Sequence, residues 1–221
     1  MKIGIIGTGK MGRALGSSWA RVGHQVMFGS RDANKVRAMA DSAALKAEAG
    51  DFDAAAAFGD VVLYTVRGFF PSRLLDNPES LAGKVVIDCN NRDVGNDARP
   101  ADFDFNVPSP PVSLSIQLAK DIPRAHVVKA FNTLPAPVLA LEREKLLPHR
   151  VSVFLCADDP AAKTIVRQLS QELGFVAVDS GGLAMSSLVD SVADFIRFQI
   201  GGMGLGMFAT TSVQVLPEAA R

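Results

Sequence analysis

The sequence predicts an α/β fold with a doubly wound, mostly parallel β-sheet and a short helical appendage at its C-terminus. Short apolar runs rich in β-branched residues alternate with helical patterns along most of the 221 residues. This alternation is typical of a parallel sheet covered by helices on both faces. A glycine-rich turn follows the first apolar run, and the alternation ends at Gly181-Gly182. We therefore expect one domain over residues 1–180 and a C-terminal helical segment over residues 181–221.

The glycine-rich turn is the strongest functional signal. A predicted strand, Lys2 to Ile6, leads into Gly7, Gly9 and Gly12, and a helical pattern follows. Strand, glycine turn and helix together give the G-x-G-x-x-G fingerprint of a Rossmann dinucleotide-binding fold. In that fingerprint the first glycine makes the turn, the second admits a pyrophosphate, and the third lets helix and strand pack closely. The alternative is a glycine-rich turn that binds no ligand.

The tip of the second predicted strand indicates which dinucleotide binds. NAD-binding proteins usually place an acidic residue there, about 20 residues past the glycines. This chain has Ser30 and Arg31, and a guanidinium binds phosphate oxygens in a bidentate manner. Asp32 lies one residue further and is suited to cap the next helix. The pattern predicts NADP(H). Thr8 and Lys35 offer further contacts to the 2′-phosphate.

Composition narrows the class of protein. The chain is 48% hydrophobic and 21% charged, with no net charge, so we expect a sizeable core and no nucleic-acid partner. The chain begins with a strand, which predicts no signal peptide, and no uncharged apolar run reaches about 18 residues. Cys89 and Cys156 end apolar runs without ligand-spaced partners, so we predict buried thiols and no metal. We expect a cytoplasmic protein that does not enter a membrane.

The remaining pattern places the other elements. Predicted strands cover residues 25–29, 45–49, 60–66, 84–88, 126–131, 150–156 and 175–178, and predicted helices cover 33–42, 52–58, 112–119 and 160–173. Residues 90–111 are rich in Pro, Asp and Asn and predict a long loop at the carboxyl end of a strand. Open α/β sheets bind ligands at that edge.

The C-terminal segment has a different character. Residues 183–208 form a long apolar stretch that contains Gly201, Gly202, Gly204 and Gly206. Glycines are unfavourable in a free helix but suit close backbone packing or a flat ligand against the main chain. A helix packed on a neighbouring subunit explains the stretch equally well, and the two interpretations are compatible.

Four motifs together resemble the coenzyme F420-dependent NADP oxidoreductase family over nearly the full chain. They are Gly7 to Gly12, Gly29 to Arg31, Val128 to Thr133 and Asp179 to Val189. The same domain resembles the cytoplasmic part of six-transmembrane metalloreductases. The chain departs from these relatives at Arg67 to Phe70, Cys89 to Arg92 and Ala184 to Ser187, around the expected second-substrate pocket.

The resemblance implies a homodimer in which NADP(H) and a deazaflavin (F420) or flavin (FMN or FAD) meet under the C-terminal helices. It implies that Leu134 and Ala136 lie beside the nicotinamide. The predicted cofactor site comprises Gly7, Thr8, Gly9, Lys10, Met11, Gly12, Ser30, Arg31, Lys35, Thr65, Val66, Arg67, Asn132, Leu134 and Ala136. The predicted second-substrate pocket comprises Phe69, Asn90, Met203, Leu205 and Met207.

We predict no catalytic acid or base. Hydride exchange between two cofactors requires mainly positioning in a dry cleft. The three histidines lie where structural roles are expected, Tyr64 lies in a buried strand, and Asn132 is the polar side chain expected to face the nicotinamide. An imine or carbonyl reductase is a second possibility, although such enzymes carry a larger helical domain with a catalytic residue such as lysine. A non-catalytic NADPH sensor is a third.

Overall fold

A six-stranded parallel sheet forms the centre of the molecule. The computed structural model describes residues 1–32, 34, 36–37, 47–91 and 113–216. The sheet contains β1 (Lys2–Ile6), β2 (Gln25–Gly29), β3 (Ala47–Gly50), β4 (Val61–Tyr64), β5 (Val85–Asp88) and β6 (His126–Lys129). Their order is β3-β2-β1-β4-β5-β6, and every adjacent pair is parallel. The predicted doubly wound fold is confirmed, and the strand order reverses between β1 and β4, where such sheets bind ligands.

A second, two-stranded sheet continues from the edge of the first. Its strands, β7 (Ser152–Leu155) and β8 (Val176–Asp179), are parallel. A single antiparallel bridge between Lys129 and Cys156 links β7 to β6. The predicted strands at 150–156 and 175–178 therefore form, but they do not extend the main parallel sheet.

Helices cover the sheet on both faces. Among the described residues they are α1 (Lys10–Arg21), α2 (Phe52–Phe58), α3 (Pro71–Leu74), α4 (Leu114–Asp121), α5 (Ala136–Leu139), α6 (Arg143–Leu146), α7 (Pro160–Glu172) and α8 (Ser186–Arg197). Asp51 and Asp159 cap α2 and α7 by accepting hydrogen bonds from backbone N–H groups. No described helix is both long and apolar enough to cross a membrane. Most of the predicted helix over 33–42 and most of the predicted loop over 90–111 fall outside the described residues.

Two apolar clusters, one on each face, hold the sheet and helices together. In the larger cluster Trp19 of α1 is fully buried, and its ring meets Phe131 edge-on at 5.7 Å. The Trp19 Nε1–H donates to the carbonyl of Leu169 in α7 (3.3 Å). These contacts bring α1, α7 and the end of β6 together, so the glycine turn before α1 lies beside the residues that follow β6.

The C-terminal segment begins with the predicted helical appendage and loses regular structure beyond Gly202. A π-helical turn, Phe198–Gly202, extends α8, and residues 203–216 form neither helix nor strand. Gly204 and Gly206 have φ of +72° and +80°, and a Cβ built on either meets no atom within 4 Å. At these two positions glycine provides a backbone conformation, and the expected close packing is absent. The tail lies against β7, where Ser152 N donates to Thr211 O (3.2 Å).

Candidate functional site

The glycine turn between β1 and α1 has the shape of a phosphate cradle. Gly7 has φ of +107°, and a Cβ on it would lie 2.4 Å from Thr65 Oγ1. A Cβ on Gly12 would lie 2.0 Å from the carbonyl oxygen of Gly7, whereas a Cβ on Gly9 would meet nothing within 4 Å. Gly7 and Gly12 are thus required by the fold. The space in front of Gly9 is open to a ligand.

The start of α1 provides the donors of this cradle. Gly9 caps the helix without a side-chain hydrogen bond, and the first hydrogen bond of the helix runs from Arg13 N to Gly9 O (3.0 Å). N–H groups in the first turn of such a helix are available to an anion. The Thr65 hydroxyl donates to the carbonyls of Ile6 and Gly7, both at 3.1 Å. The Thr65 hydroxyl therefore holds the backbone of the turn in place.

The tip of β2 lies beside the glycine turn. Gly7 N donates to Gly29 O (3.2 Å), which ties the turn to the residue before Ser30. The side chain of Arg31 is exposed, and Ser30 Oγ accepts a hydrogen bond from Asp32 N (3.1 Å). Ser30 and Arg31 thus adjoin the cradle, as the sequence predicts for a 2′-phosphate site. Lys35 lies outside the described residues.

A pocket of about 220 Å³, here called the inner pocket, opens at the carboxyl edge of the sheet. It brings together predicted residues from the glycine turn, the end of β4, the turn after β6 and the C-terminal tail. These are Lys10, Met11, Arg67, Asn132, Leu134, Ala136 and Met207. Ile196, Arg197 and Ile200 add a wall from α8 and its π-helical turn. The C-terminal segment therefore contributes directly to this pocket.

A neighbouring cavity of about 180 Å³, here called the side pocket, shares Arg67 and Asn91 with the inner pocket. It contains Val66, together with Phe69 and Asn90, which we predicted for the second substrate. The predicted second-substrate residues are thus divided, because Met207 lines the inner pocket. Met203 and Leu205 are 59% and 64% exposed and line neither pocket. Within a single copy of the chain these five residues do not share one pocket, because the tail turns outward at Met203.

Tyr64 and Asn90 shape the side pocket. The Tyr64 hydroxyl donates to the carbonyl of Phe69 at 2.5 Å, and burial, with Asp121 and Asp88 nearby, raises the pKa of Tyr64. Asn90 Nδ2 donates to Tyr64 O (3.2 Å) and to Asp88 Oδ1 (3.0 Å). Both side chains therefore hold the loop after β4 against the end of β5.

A buried polar cluster lies behind the inner pocket, and Asn132 is the one member for which the sequence predicts a site role. It comprises Asp88, Ser113, Ser115, Lys129, Asn132 and Asp190, all under 8% exposed. Lys129 Nζ lies 2.8 Å from Asp190 Oδ1 and 3.6 Å from Asp88 Oδ2, and it also donates to the carbonyl of Asn90. The ammonium thus joins β5, β6 and α8. The sequence signal for this cluster is one charged residue in each of three apolar stretches, namely Asp88, Lys129 and Asp190.

The cluster keeps Lys129 charged. Burial alone would lower its pKa, but the two carboxylates outweigh this, and the pKa of Lys129 lies above its ordinary value. Ser115 Oγ donates to Asp88 Oδ2 and Ser113 Oγ to Asp190 Oδ2, each at 2.6 Å. With these hydrogen bonds the two carboxylates and the ammonium compensate one another inside the protein.

Two polar atoms at the edge of the cluster have no partner among the residues that the structure describes. They are Asn132 Oδ1 and Thr133 Oγ1, both buried, and both residues line the inner pocket. Buried acceptors normally find a partner. These two atoms therefore leave hydrogen-bonding capacity unused beside the inner pocket.

The histidines take structural positions. His24 Nε2 lies 2.7 Å from Glu172 Oε2, and His126 Nδ1 lies 2.9 Å from Asp159 Oδ2. Neither ring lines the inner or the side pocket. The thiols of Cys89 and Cys156 are buried, and burial raises the pKa of Cys89 to about 12, so Cys89 is not a nucleophile at neutral pH.

The fold and these pockets define a Rossmann-type α/β protein with a phosphate cradle and an adjoining polar pocket. Residues 2–92 match the family described as NADP oxidoreductase, coenzyme F420-dependent. The resemblance predicted from the sequence is confirmed for this part of the chain, which relates it to NADP-dependent oxidoreductases.

Longer relatives extend the similarity over most of the chain. Metalloreductase STEAP3 of Rattus norvegicus is 27% identical over 193 residues, which cover 86% of this chain and 36% of the relative. Metalloreductase STEAP2 of Mus musculus is 23% identical over 190 residues, which cover 86% and 35%. The chain therefore spans about a third of the length of these curated relatives.

Solved structures share the fold. A structure from Arthrobacter sp. FB24, assigned as an F420-dependent NADP-reductase, is 26% identical with a TM-score of 0.70, covering 94% of this chain and 97% of the other. An imine reductase from Myxococcus stipitatus in complex with NADP+ is 19% identical with a TM-score of 0.61, covering 92% and 62%. At that identity the second similarity concerns the fold alone.

Proposed function

We propose that the protein is an NADP(H)-dependent oxidoreductase that exchanges a hydride between NADPH and a deazaflavin (F420) or a flavin. The observation that carries the proposal is the inner pocket. It continues from the glycine cradle through Lys10 and Met11 and is lined by Asn132, whose buried amide oxygen has no partner among the described residues. The matches to an NADP oxidoreductase family and to a structure assigned as an F420-dependent NADP-reductase support the same conclusion.

The cradle and the β2 tip fit NADP(H). The open space before Gly9 receives the pyrophosphate, and Arg31, with Ser30 and Thr8, receives the 2′-phosphate. Lys35 belongs to the same proposal. Behind the turn, the Thr65 hydroxyl keeps the carbonyls of Ile6 and Gly7 in place.

The inner pocket fits the nicotinamide end of the cofactor. Asn132 and Thr133 supply polar groups, while Leu134 and Ala136 supply an apolar wall. When bound, NADPH supplies the hydride. The surrounding side chains exclude water and orient the ring. Neither Lys129 nor a histidine lines this pocket, which agrees with a reaction that needs no protein acid or base.

The second substrate requires space next to the inner pocket. The side pocket adjoins it through Arg67 and Asn91, and Phe69 offers an exposed ring there. On the other side an open groove of about 580 Å³ runs along α1 past Lys10, Arg13 and Arg21. Cationic walls of this kind suit the phosphate of FMN or an acidic side arm of a deazaflavin.

The C-terminal segment completes the proposed site. It supplies one wall of the inner pocket through Ile196, Arg197 and Ile200, which belong to α8 and its π-helical turn. We propose that residues 181–221 act as a separate functional segment and that two copies of the chain associate through it. We also propose that the protein works in the cytoplasm, where its partner is a small-molecule electron carrier.

Imine or carbonyl reduction is the second candidate, favoured by the fold shared with imine reductases. Such chemistry needs a proton donor beside the substrate. Lys129 is fully buried behind the inner pocket, and Tyr64 donates to a backbone carbonyl, so neither is placed for that task.

Anaerobic stopped-flow absorbance at 340 nm tests the proposed function. NADPH and protein are mixed with F420, FMN or FAD, and NADPH deuterated at C4 identifies hydride transfer by a slower reaction. We expect oxidation of NADPH with at least one acceptor. NADPH that binds but is oxidised by none of the three would favour the sensor, and turnover with a cyclic imine alone would favour the second candidate.

A further inference from the structure

The hydrogen bonds around Asn132 determine how its side-chain amide is oriented. Asn132 Nδ2 donates to Asn91 Oδ1 (3.0 Å) and to Asp190 Oδ1 (3.2 Å). A carboxylate can only accept, and Asn91 uses its own Nδ2 to donate to Asn132 O (2.9 Å). Both neighbours of Asn132 Nδ2 are therefore acceptors, and a flipped amide would place oxygen against oxygen.

Asp190 is itself held firmly. Its Oδ1 lies 2.8 Å from Lys129 Nζ, and its Oδ2 accepts from Ser113 Oγ at 2.6 Å. The residue is 4% exposed on the inward face of α8. The Asp190 carboxylate thus links α8 and the Lys129 ammonium to the side-chain amide of Asn132.

We propose that Asp190 is a positioning residue that keeps Asn132 Oδ1 directed into the inner pocket, so that the pocket selects a ligand with N–H donors, namely a primary carboxamide. The inference rests on the proposed function, because the nicotinamide of NADP(H) carries such a group. It goes beyond that function by assigning the selectivity of the pocket to a residue outside it.

The arrangement gives the pocket an acceptor that cannot become a donor. An Asn side chain normally reverses its donor and acceptor at small cost, and one amide can then satisfy two kinds of ligand. With Asp190 in place, a ligand group with only acceptor atoms meets the lone pairs of Asn132 Oδ1. Selectivity by an unpaired buried group is stronger than selectivity by shape alone.

A pair of dinucleotides isolates this effect. NADP+ carries the carboxamide, whereas its 3-acetylpyridine analogue carries an acetyl group of similar size without N–H donors. The ratio of their dissociation constants, measured by calorimetry, reports the carboxamide contact separately from the phosphate contacts. For the wild type we expect NADP+ to bind roughly 5- to 100-fold more tightly.

Three variants test the role of Asp190. In Asp190→Asn the acceptor loses its charge, so we expect the ratio to fall to within about threefold of unity while the analogue keeps its affinity. Ser113→Ala leaves the ion pair intact but frees Asp190 Oδ2, and we expect a ratio at least about twofold below that of the wild type. Ser191→Ala, on the exposed face of the same helix, serves as the control and keeps the wild-type ratio.

The outcomes separate the two levels of the proposal. Absence of binding of either dinucleotide to the wild type overturns the proposed function and the inference with it. A wild-type ratio near unity, or equal weakening of both ligands in Asp190→Asn, leaves NADP(H) binding standing and overturns the inference. If Asp190→Asn does not fold, Ser113→Ala decides, and an unchanged ratio in that variant contradicts the positioning role.

Discussion

Lys129 is the residue on which the interior depends most strongly for its charge balance. It is fully buried between two carboxylates, at 2.8 Å from Asp190 and 3.6 Å from Asp88. The apolar pattern of β6 predicts a strand with one charged residue in it, but it does not identify the partners of that lysine. Its partners lie far away in the chain, so the cluster depends on tertiary packing that periodicity does not encode.

Replacing this lysine should be costly. In Lys129→Met two buried carboxylates lose their cation, and we expect the free energy of unfolding to fall by about 3–5 kcal/mol. Lys163→Met is the matched control, because Lys163 pairs with the half-exposed Asp179 at 2.8 Å, and we expect a loss below about 1 kcal/mol. Urea unfolding followed by circular dichroism measures both. Equal losses in the two variants would contradict this account of the cluster.

The same ion pair has a pH signature. The folded-state pKa of Lys129 lies above its ordinary value of 10.5, so its contribution to stability is complete below pH 10.5 and is lost as the pH rises through the folded-state pKa. The wild type should therefore lose stability more steeply than Lys129→Met above pH 10.5. Parallel losses in the two proteins would show that Lys129 is not the titrating group.

At the scale of elements, the unit formed by β1, the glycine turn and α1 is the part that the sequence predicts best. Three local signals agree there, namely an apolar strand, spaced glycines and a helical pattern. The C-terminal segment is predicted least well. Its apolar stretch with four glycines leaves close packing, a flat ligand and a helix on a neighbouring subunit open. Regular structure ends at Gly202, and Gly204 and Gly206 adopt positive φ. Composition alone does not distinguish a helix from an apolar tail.

Two alanine variants in the glycine turn should affect different properties, one the affinity for the cofactor and the other the stability of the fold. In Gly9→Ala the new Cβ enters open space at an ordinary φ of −70°, so we expect stability within about 0.5 kcal/mol of the wild type. Because that space is the proposed pyrophosphate position, affinity for NADPH should fall at least about tenfold. In Gly12→Ala the Cβ lies 2.0 Å from a backbone oxygen, and we expect a loss of about 1–3 kcal/mol.

Thermal unfolding and fluorescence titration with NADPH measure the two effects. Unchanged affinity in Gly9→Ala would contradict the position of the cofactor. Unchanged stability in Gly12→Ala would contradict the close approach of helix and strand.

At the scale of the whole molecule, α8 presents an apolar outer face. Leu188 and Phe195, seven residues apart on that face, are 64% and 57% exposed, and Met185 extends the row. Rows of large exposed apolar side chains are typical of protein interfaces. This face is the proposed contact between two copies of the chain, directly behind the wall that α8 gives to the inner pocket.

Light scattering after size-exclusion chromatography tests the contact. We expect a dimer for the wild type and a monomer for Leu188→Glu combined with Phe195→Glu, because two charges cannot be buried there without partners. Val22→Glu combined with Leu147→Glu changes two exposed apolar residues elsewhere and should leave the dimer intact. A monomeric wild type, or a double variant at Leu188 and Phe195 that remains dimeric, would exclude this interface.

The central claim is that the β1–α1 turn and the β2 tip bind NADP(H) in preference to NAD(H), and calorimetric titration with NADPH and NADH tests it most directly. We predict that the wild type binds NADPH roughly 10- to 100-fold more tightly, because Arg31 forms charge-assisted hydrogen bonds to the 2′-phosphate. In Arg31→Gln the two affinities should converge through weaker NADPH binding. Equal affinities in the wild type, or tighter binding of NADH, would contradict the account.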